Sequence, residues 1–149
     1  MGRHQTIQLP EFLDDLENTR THRNWSTEHR EQFDGEVNKE IRFLAEAPYA
    51  NRPTRSEFPK SHAKGEARAV MNALLATHRR LWKVRYFIRR GGTRQGHVRL
   101  FAVTDSTEKH NIWLACYPHD DHSRKEPGIP IGSILERLKL FDERTRSSM

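Results

Sequence analysis

Two arginines and two histidines have the types and spacing for chemistry on a phosphate group. Arg85 and Arg99 fall in neighbouring runs that alternate between apolar and polar residues, and His119 and His122 follow the next apolar run. A guanidinium group is always charged and binds phosphate through two parallel hydrogen bonds, whereas imidazole titrates near neutral pH. We therefore consider the histidines as candidate acid and base, and the arginines as fixed cations.

Cleavage of RNA without a metal requires groups of these kinds. A base removes the proton of the 2′-hydroxyl, an acid protonates the leaving 5′-oxygen, and cations stabilise the negative phosphorane. His119 and His122, beside strands that carry Arg85 and Arg99, can supply all three functions. Tyr117 is a further candidate for the acid or the base.

The segment from His119 to His122, with Asp120 and Asp121 between them, also suggests a metal site, because His and Asp both bind first-row metals. The spacing matches no recognised metal motif. We therefore predict neither a metal nor a cofactor.

Positive charge is concentrated around the same residues. Residues 67–104 contain nine Lys and Arg residues and no Asp or Glu, whereas the rest of the chain has 17 basic and 20 acidic residues. Like charges on one small region repel one another, so a polyanionic partner such as RNA explains them better than a solvated surface. The predicted phosphate-binding residues are Lys83, Arg89, Arg90, Arg94, His97, Arg124 and Lys125.

Three consecutive antiparallel strands within residues 81–117 are predicted to position these groups. The first strand alternates, with Lys83 and Arg85 on its outer face, and the glycines of residues 90–96 predict a turn. The second strand places Arg99 and Phe101 on the same outer face. Residues 111–117 are almost continuously apolar, which is typical of a strand covered on both faces.

Helices are predicted on both sides of this meander in the sequence. Ser26 is a typical N-cap for a helix with apolar residues at helical spacing, and a second apolar stripe predicts a helix over residues 63–80. Pro130 begins a last amphipathic helix. Residues 49–60 contain two prolines and are predicted to be an irregular loop.

Runs of helices followed by runs of strands indicate an α+β fold. We predict a single domain in which an antiparallel sheet of three to four strands has helices on one face and basic residues on the other. Residues 1–25 form an N-terminal extension with a short strand and helix, residues 26–141 form the main domain, and residues 142–149 are a frayed tail. One cysteine and the absence of a long apolar stretch favour a soluble, cytoplasmic protein without a membrane span.

The order of these elements resembles the RelE/HigB superfamily of toxin–antitoxin ribonucleases. The resemblance covers residues 26–141 and is sharpest at residues 81–85, 96–101 and 117–127. It implies a RelE-like fold and a small toxin that cleaves messenger RNA, usually on the ribosome, and is inhibited by a cognate antitoxin. In that family two strand arginines hold the scissile phosphate, and acid–base residues follow the third strand. The matching positions are Arg85 and Arg99 for the phosphate, and His119, His122, Arg124 and Lys125 for the loop.

Two other functions are open from the sequence. ParE-like relatives poison DNA gyrase by protein contact without catalysis, in which case the histidines would be dispensable. A nucleic-acid-binding accessory protein would use only the basic face, with Phe87 and Phe101 as residues for base stacking. The clustering of Arg, His and Tyr at one end of the meander favours the ribonuclease.

Overall fold

A computed structural model describes residues 3–22, 25–50, 52, 54–57, 69, 72–74, 76–90, 93–119 and 131–147. The elements in chain order are β1 (Gln5–Gln8), α1 (Pro10–His22), α2 (Thr27–Glu46), β2 (Arg55–Glu57), β3 (Arg79–Arg90), β4 (Thr93–Asp105), β5 (His110–His119) and α3 (Ile131–Ser147). The described residues between 69 and 76 are also helical. Within these ranges, no helix has the length and apolar content needed to cross a membrane.

One five-stranded sheet with the order β1-β5-β4-β3-β2 organises this α+β domain. The central strands β3, β4 and β5 are the predicted antiparallel meander, which is therefore confirmed. β1 pairs with β5 in parallel and β2 pairs with β3, so the sheet is mixed, and the predicted antiparallel sheet of three to four strands is wrong. β2 also lies within residues 49–60, where the prolines led us to expect no regular structure.

The hairpin between β3 and β4 is longer than predicted. β3 continues to Arg90 and β4 begins at Thr93, so most of the expected turn at residues 90–96 is paired strand. A register shift between Ile88 and Arg89 accommodates the glycine-rich sequence, as a β-bulge does.

Both faces of the central strand β4 are covered, contrary to the predicted single helical layer. α1 packs on one face, where the Phe12 ring lies 5.7 Å from that of Trp113. α3 approaches the other face, where Arg79 of β3 binds Asp142. Residues of the predicted N-terminal extension thus belong to the same core, and the basic face is not fully solvated. Fully buried residues of β4 are Val98, Leu100 and Ala102 on the first face and Phe101 and Val103 on the second.

The helix ends follow from local hydrogen bonds and ion pairs. Ser26 is confirmed as the N-cap of α2, since its side chain accepts a hydrogen bond from His29 N at 3.2 Å. α3 continues through Ser147 and so includes residues 142–147 of the predicted tail. Both Nη atoms of Arg79 donate to the Asp142 carboxylate at 2.8 Å, and this pair attaches the last turns of α3 to β3.

Arg79 also binds Asp105, at the end of β4, and this contact makes stability depend on pH. Burial of Asp105 opposes its ionisation, but hydrogen bonds from Glu108 N, the Arg79 guanidinium and Thr107 N outweigh it and lower the pKa of the carboxyl below 3.8. The unfolded state therefore takes up the proton first as the pH falls.

We expect the free energy of unfolding to lose the contribution of Asp105 on acidification. The contribution is complete above about pH 5 and is lost as the pH falls through 3.8 and below. Arg79→Met should flatten this part of the profile, measured by urea titration from about pH 7 to about pH 3. Arg80→Met is the control, since Arg80 forms a longer and more exposed ion pair, with Glu57 at 4.0 Å. An unchanged profile in Arg79→Met would contradict the assignment.

Candidate nucleic-acid interface

Arg85, Arg99 and Tyr117 form a row across three neighbouring strands. Arg85 of β3 is the register partner of Arg99 in β4, and Arg99 is the partner of Tyr117 in β5. Residues directly opposite one another project from the same face, with Cβ atoms about 5 Å apart. This arginine–tyrosine row therefore presents two guanidinium groups and one phenol to the same small region.

Arg99 is a buried cation without a counter-charge among the described residues. It is only 4% exposed, and its Nε has no hydrogen-bond partner. Burying a charge without a partner costs several kcal/mol. An arginine removed from water is usually paired with carboxylates. Arg79, on the same face of the sheet, is an example, because Asp105 and Asp142 neutralise its charge. An anion bound at this face would supply the counter-charge that the described residues do not provide.

Arg85 strengthens this inference because it is exposed and directly opposite Arg99. Like charges at opposite positions of an antiparallel pair destabilise the sheet. Within the part of the chain that the structure describes, no carboxylate forms an ion pair with Arg85. A phosphate between the two guanidinium groups would relieve both the repulsion and the burial of Arg99.

Tyr117 supplies a neutral hydroxyl beside these cations. It is half-buried, and its ring centroid lies 6.1 Å from that of Phe101. Burial raises the pKa of Tyr117 above 10, although the nearby charge of Arg137 opposes the shift. The hydroxyl thus stays protonated at neutral pH, which suits an acid or a hydrogen-bond donor better than a base.

His119 is the last residue of β5, two positions beyond Tyr117. Its backbone pairs with that of His97, and His97 pairs in turn with Phe87. The register therefore brings the predicted residue His119 next to the arginine–tyrosine row.

The other predicted site residues divide into three groups. Lys83 is half-buried and pairs in register with Phe101, one position from the row and on the same face. Arg89, Arg90 and Arg94 lie at the far end of the hairpin, where Arg89 pairs with Arg94. The remaining predicted residues, His122, Arg124 and Lys125, lie outside the described residues.

Asp15 and Arg137 brace the backbone that carries Tyr117, and the sequence analysis missed both. Asp15 of α1 accepts a hydrogen bond from Cys116 N at 3.1 Å and forms an ion pair with Arg137 of α3. Arg137 also donates to the carbonyl of Leu114 at 2.8 Å. This Asp15–Arg137 clamp holds β5 at the strand edge that faces away from β4. No local signal reveals it, because Asp15 and Arg137 are 122 positions apart.

Cys116 has no thiol chemistry to offer at neutral pH. Burial raises the pKa of its thiol to about 12, and its sulfur lies 3.7 Å from the hydroxyl of Thr19. A thiolate is required for nucleophilic attack. The residue behaves as a small buried apolar group, as its position in the third strand predicts.

In the described ranges, no group of three His, Cys, Asp or Glu side chains is placed to hold a metal ion. This face carries two fixed cations, Arg85 and Arg99, and the protonated phenol of Tyr117. The backbone of His119 lies two positions further along β5. Comparison of the chain with protein-family models, with curated proteins and with solved structures finds no match.

Proposed function

We propose that this protein is a metal-independent endoribonuclease that uses the arginine–tyrosine row to bind and cleave RNA. The observation that carries the proposal is Arg99, a cation that is 4% exposed, lacks a partner for its Nε and lies opposite a second arginine. A structural arginine would have a carboxylate or several carbonyl groups around it. Arg99 has a buried Nε without a partner, and a phosphate is an anion that guanidinium groups bind well.

The order of elements supports a more specific form of the proposal, a RelE-like toxin. A pair of helices, an antiparallel meander and a closing helix follow one another in the order on which the resemblance to the RelE/HigB superfamily rests. The toxin would cleave messenger RNA on the ribosome, in the cytoplasm, and a cognate antitoxin would inhibit it.

The mechanism follows from the charges on this face. Arg85 and Arg99 bind the scissile phosphate and stabilise the phosphorane. His119 takes the proton of the 2′-hydroxyl, whose oxygen attacks the phosphorus atom. As the bond from phosphorus to the 5′-oxygen breaks, Tyr117 donates a proton to that oxygen, so the products are a 2′,3′-cyclic phosphate and a 5′-hydroxyl.

We expect Tyr117→Phe and His119→Ala each to slow cleavage by about 100-fold while RNA affinity changes little, because each removes a proton-transfer group and no cation. The measurement is single-turnover cleavage of free RNA and of messenger RNA on translating ribosomes. Tyr49→Phe is the matched control, since Tyr49 is exposed and lies elsewhere on the protein.

The outcomes distinguish the functions that the sequence leaves open. Full cleavage by His119→Ala would transfer the role of base to another residue, such as His122. Wild-type rates in both variants would contradict the proposed acid–base pair. Absence of cleavage by the wild-type protein under either condition would favour a ParE-like gyrase poison or a nucleic-acid-binding accessory protein.

A further inference from the structure

A cleft lies at the opposite end of the sheet from Arg99. It consists of two adjoining cavities of about 470 and about 420 Å³, which share Tyr49 and Ser106 as lining residues. We call it the Tyr49 cleft. Arg79 also lines it and pairs with Asp105, six residues along β4 from Arg99. Six residues of a strand span about 20 Å, so the cleft is separate from the arginine–tyrosine row.

One wall of the Tyr49 cleft is a turn held rigidly by a buried arginine. Arg55 of β2 is 7% exposed, and its Nη1 donates to the carbonyl of Ala47 at 3.0 Å and to that of Ala50 at 3.1 Å. These bonds also satisfy the C-terminal end of α2, which has no basic residue in its last turn. The backbone around Tyr49 is therefore held in place by hydrogen bonds, although Tyr49 itself is 45% exposed.

The facing wall is equally well ordered by hydrogen bonds. Both the backbone N and the hydroxyl of Ser106 donate to the carbonyl of His78 at 3.1 Å. His78 and Lys109, both lining residues, have φ angles of 61° and 56°. In the described part of the chain they are the non-glycine residues with positive φ. Such conformations persist only where the surroundings fix them, and they cluster at ligand sites.

The larger cavity suits a flat, mostly apolar ring. Its lining includes Pro48, Ala50 and the ring of Tyr49, which meets that of His4 edge to face at 5.6 Å. Next to His4, Oδ1 of the buried Asn111 accepts a hydrogen bond from His4 Nδ1 at 3.0 Å, while Nδ2 of Asn111 has no partner. The cavity thus combines an exposed aromatic surface with the polar residues His4, Glu46 and Lys109 in its lining.

The smaller cavity suits an anion. Arg80 and His78 line it, and the side chain of Arg80 is 48% exposed and lies 4.0 Å from the carboxylate of Glu57. Arg79 is already neutralised by Asp105 and Asp142. In the larger cavity, the carboxylate of Glu46 would repel an anion and can accept hydrogen bonds from hydroxyl or amino groups. The smaller cavity therefore suits a negatively charged group, and the larger cavity suits a group with hydroxyl or amino donors.

We propose that the Tyr49 cleft binds a nucleoside monophosphate, with the base against Tyr49 and the phosphate at Arg80 and His78. A base offers a flat ring for stacking on an aromatic side chain, and a phosphate is the natural partner of a guanidinium group. The volume of each cavity lies within the range of about 300–1,000 Å³ that is usual for small-ligand sites.

The test is isothermal titration of the intact protein with AMP. Tyr49→Ala should weaken AMP binding by about tenfold or more, as expected for loss of base stacking, whereas Tyr49→Phe should bind AMP as the wild type does. Leu13→Ala is the matched control, because Leu13 is 48% exposed and lies on α1. Equal affinities of Tyr49→Ala and Leu13→Ala, or no binding of AMP at millimolar concentration, would overturn the proposal.

The phosphate subsite is tested with paired ligands. Arg80→Ala should weaken binding of AMP by about tenfold and leave binding of adenosine unchanged, because only AMP carries the charge. Arg30→Ala, which removes an exposed arginine at the start of α2, should affect neither ligand. Equal losses for AMP and adenosine in Arg80→Ala, or ribose 5-phosphate binding as tightly as AMP, would overturn the assignment.

The proposal is independent of RNA cleavage. An Arg99→Met variant should bind AMP like the wild type, because Arg99 lies outside the Tyr49 cleft. AMP binding together with an absence of ribonuclease activity would contradict the proposed function alone. Cleavage without AMP binding would contradict only the proposed cleft ligand.

Discussion

Replacing Arg99 with methionine should abolish RNA cleavage and raise the melting temperature of the protein at the same time. Loss of a cation that stabilises the transition state slows catalysis by about 100- to 1,000-fold. Methionine fills a similar volume without a charge, and replacing buried charges with apolar residues often stabilises proteins by about 1–4 kcal/mol. Arg99 has no described carboxylate whose charge would be left unpaired. Single-turnover cleavage and thermal unfolding measure the two effects.

Arg79→Met is the matched control for this prediction. Arg79 is a partly buried arginine on the same face, with its side chain 16% exposed, but it binds both Asp105 and Asp142. Its loss leaves two carboxylates without their cation, so the melting temperature should fall while the folded protein keeps its cleavage rate. A lower melting temperature in Arg99→Met as well would identify Arg99 as a structural residue and remove the main support for the ribonuclease.

Asp15→Ala should be strongly destabilising, by about 3–5 kcal/mol, because it removes one partner of a largely buried ion pair. Arg137 would keep its charge without the carboxylate, and Cys116 N would lose its acceptor. Both interactions hold the backbone next to Tyr117. The rate of RNA cleavage should therefore decrease together with the free energy of unfolding. Urea unfolding at neutral pH gives the free energy directly.

Two variants separate loss of the clamp from loss of a surface charge. Glu17→Ala removes a carboxylate of the same helix that pairs with Arg20 and is 65% exposed, so it should change stability by less than about 1 kcal/mol. Asp15→Ala combined with Arg137→Met should be more stable than Asp15→Ala alone, because the unpaired cation is gone. Additive losses in the double variant would show that the two side chains do not act as a pair.

The sequence predicted the parts of the site that depend on local pattern. Arg85 and Arg99 lie in adjacent strands of one hairpin, so alternation and a glycine-rich turn place them on the same face. Their direct pairing agrees with that expectation. The burial of Arg99 could not be predicted, because it depends on what covers this face of the sheet, and alternation says only which residues share a face.

Other differences arise where a distant partner overrides a local preference. Residues 78–80 were predicted to be the basic last turn of a helix, whereas His78 lies in a turn and β3 begins at Arg79. Arg79 pairs with Asp105 in the neighbouring strand, and this pairing makes residue 79 the start of a strand and not the end of a helix. Asp105 is 26 positions away, so a local pattern does not reveal it. The parallel pairing of β1 with β5 joins residues more than 100 positions apart and has no local signal either.

The side chains of Asp15 and Arg137 also occupy a stretch of the β5 edge that no described strand covers. β1 covers β5 only as far as Trp113, and beyond that residue the backbone groups of a strand edge invite pairing with another chain. The carboxylate and the guanidinium group take the places of such a partner at Cys116 N and the Leu114 carbonyl. A strand from a second molecule would have to displace a charged pair to dock there, so the ion pair that braces the backbone of Tyr117 also protects the protein against edge-to-edge aggregation.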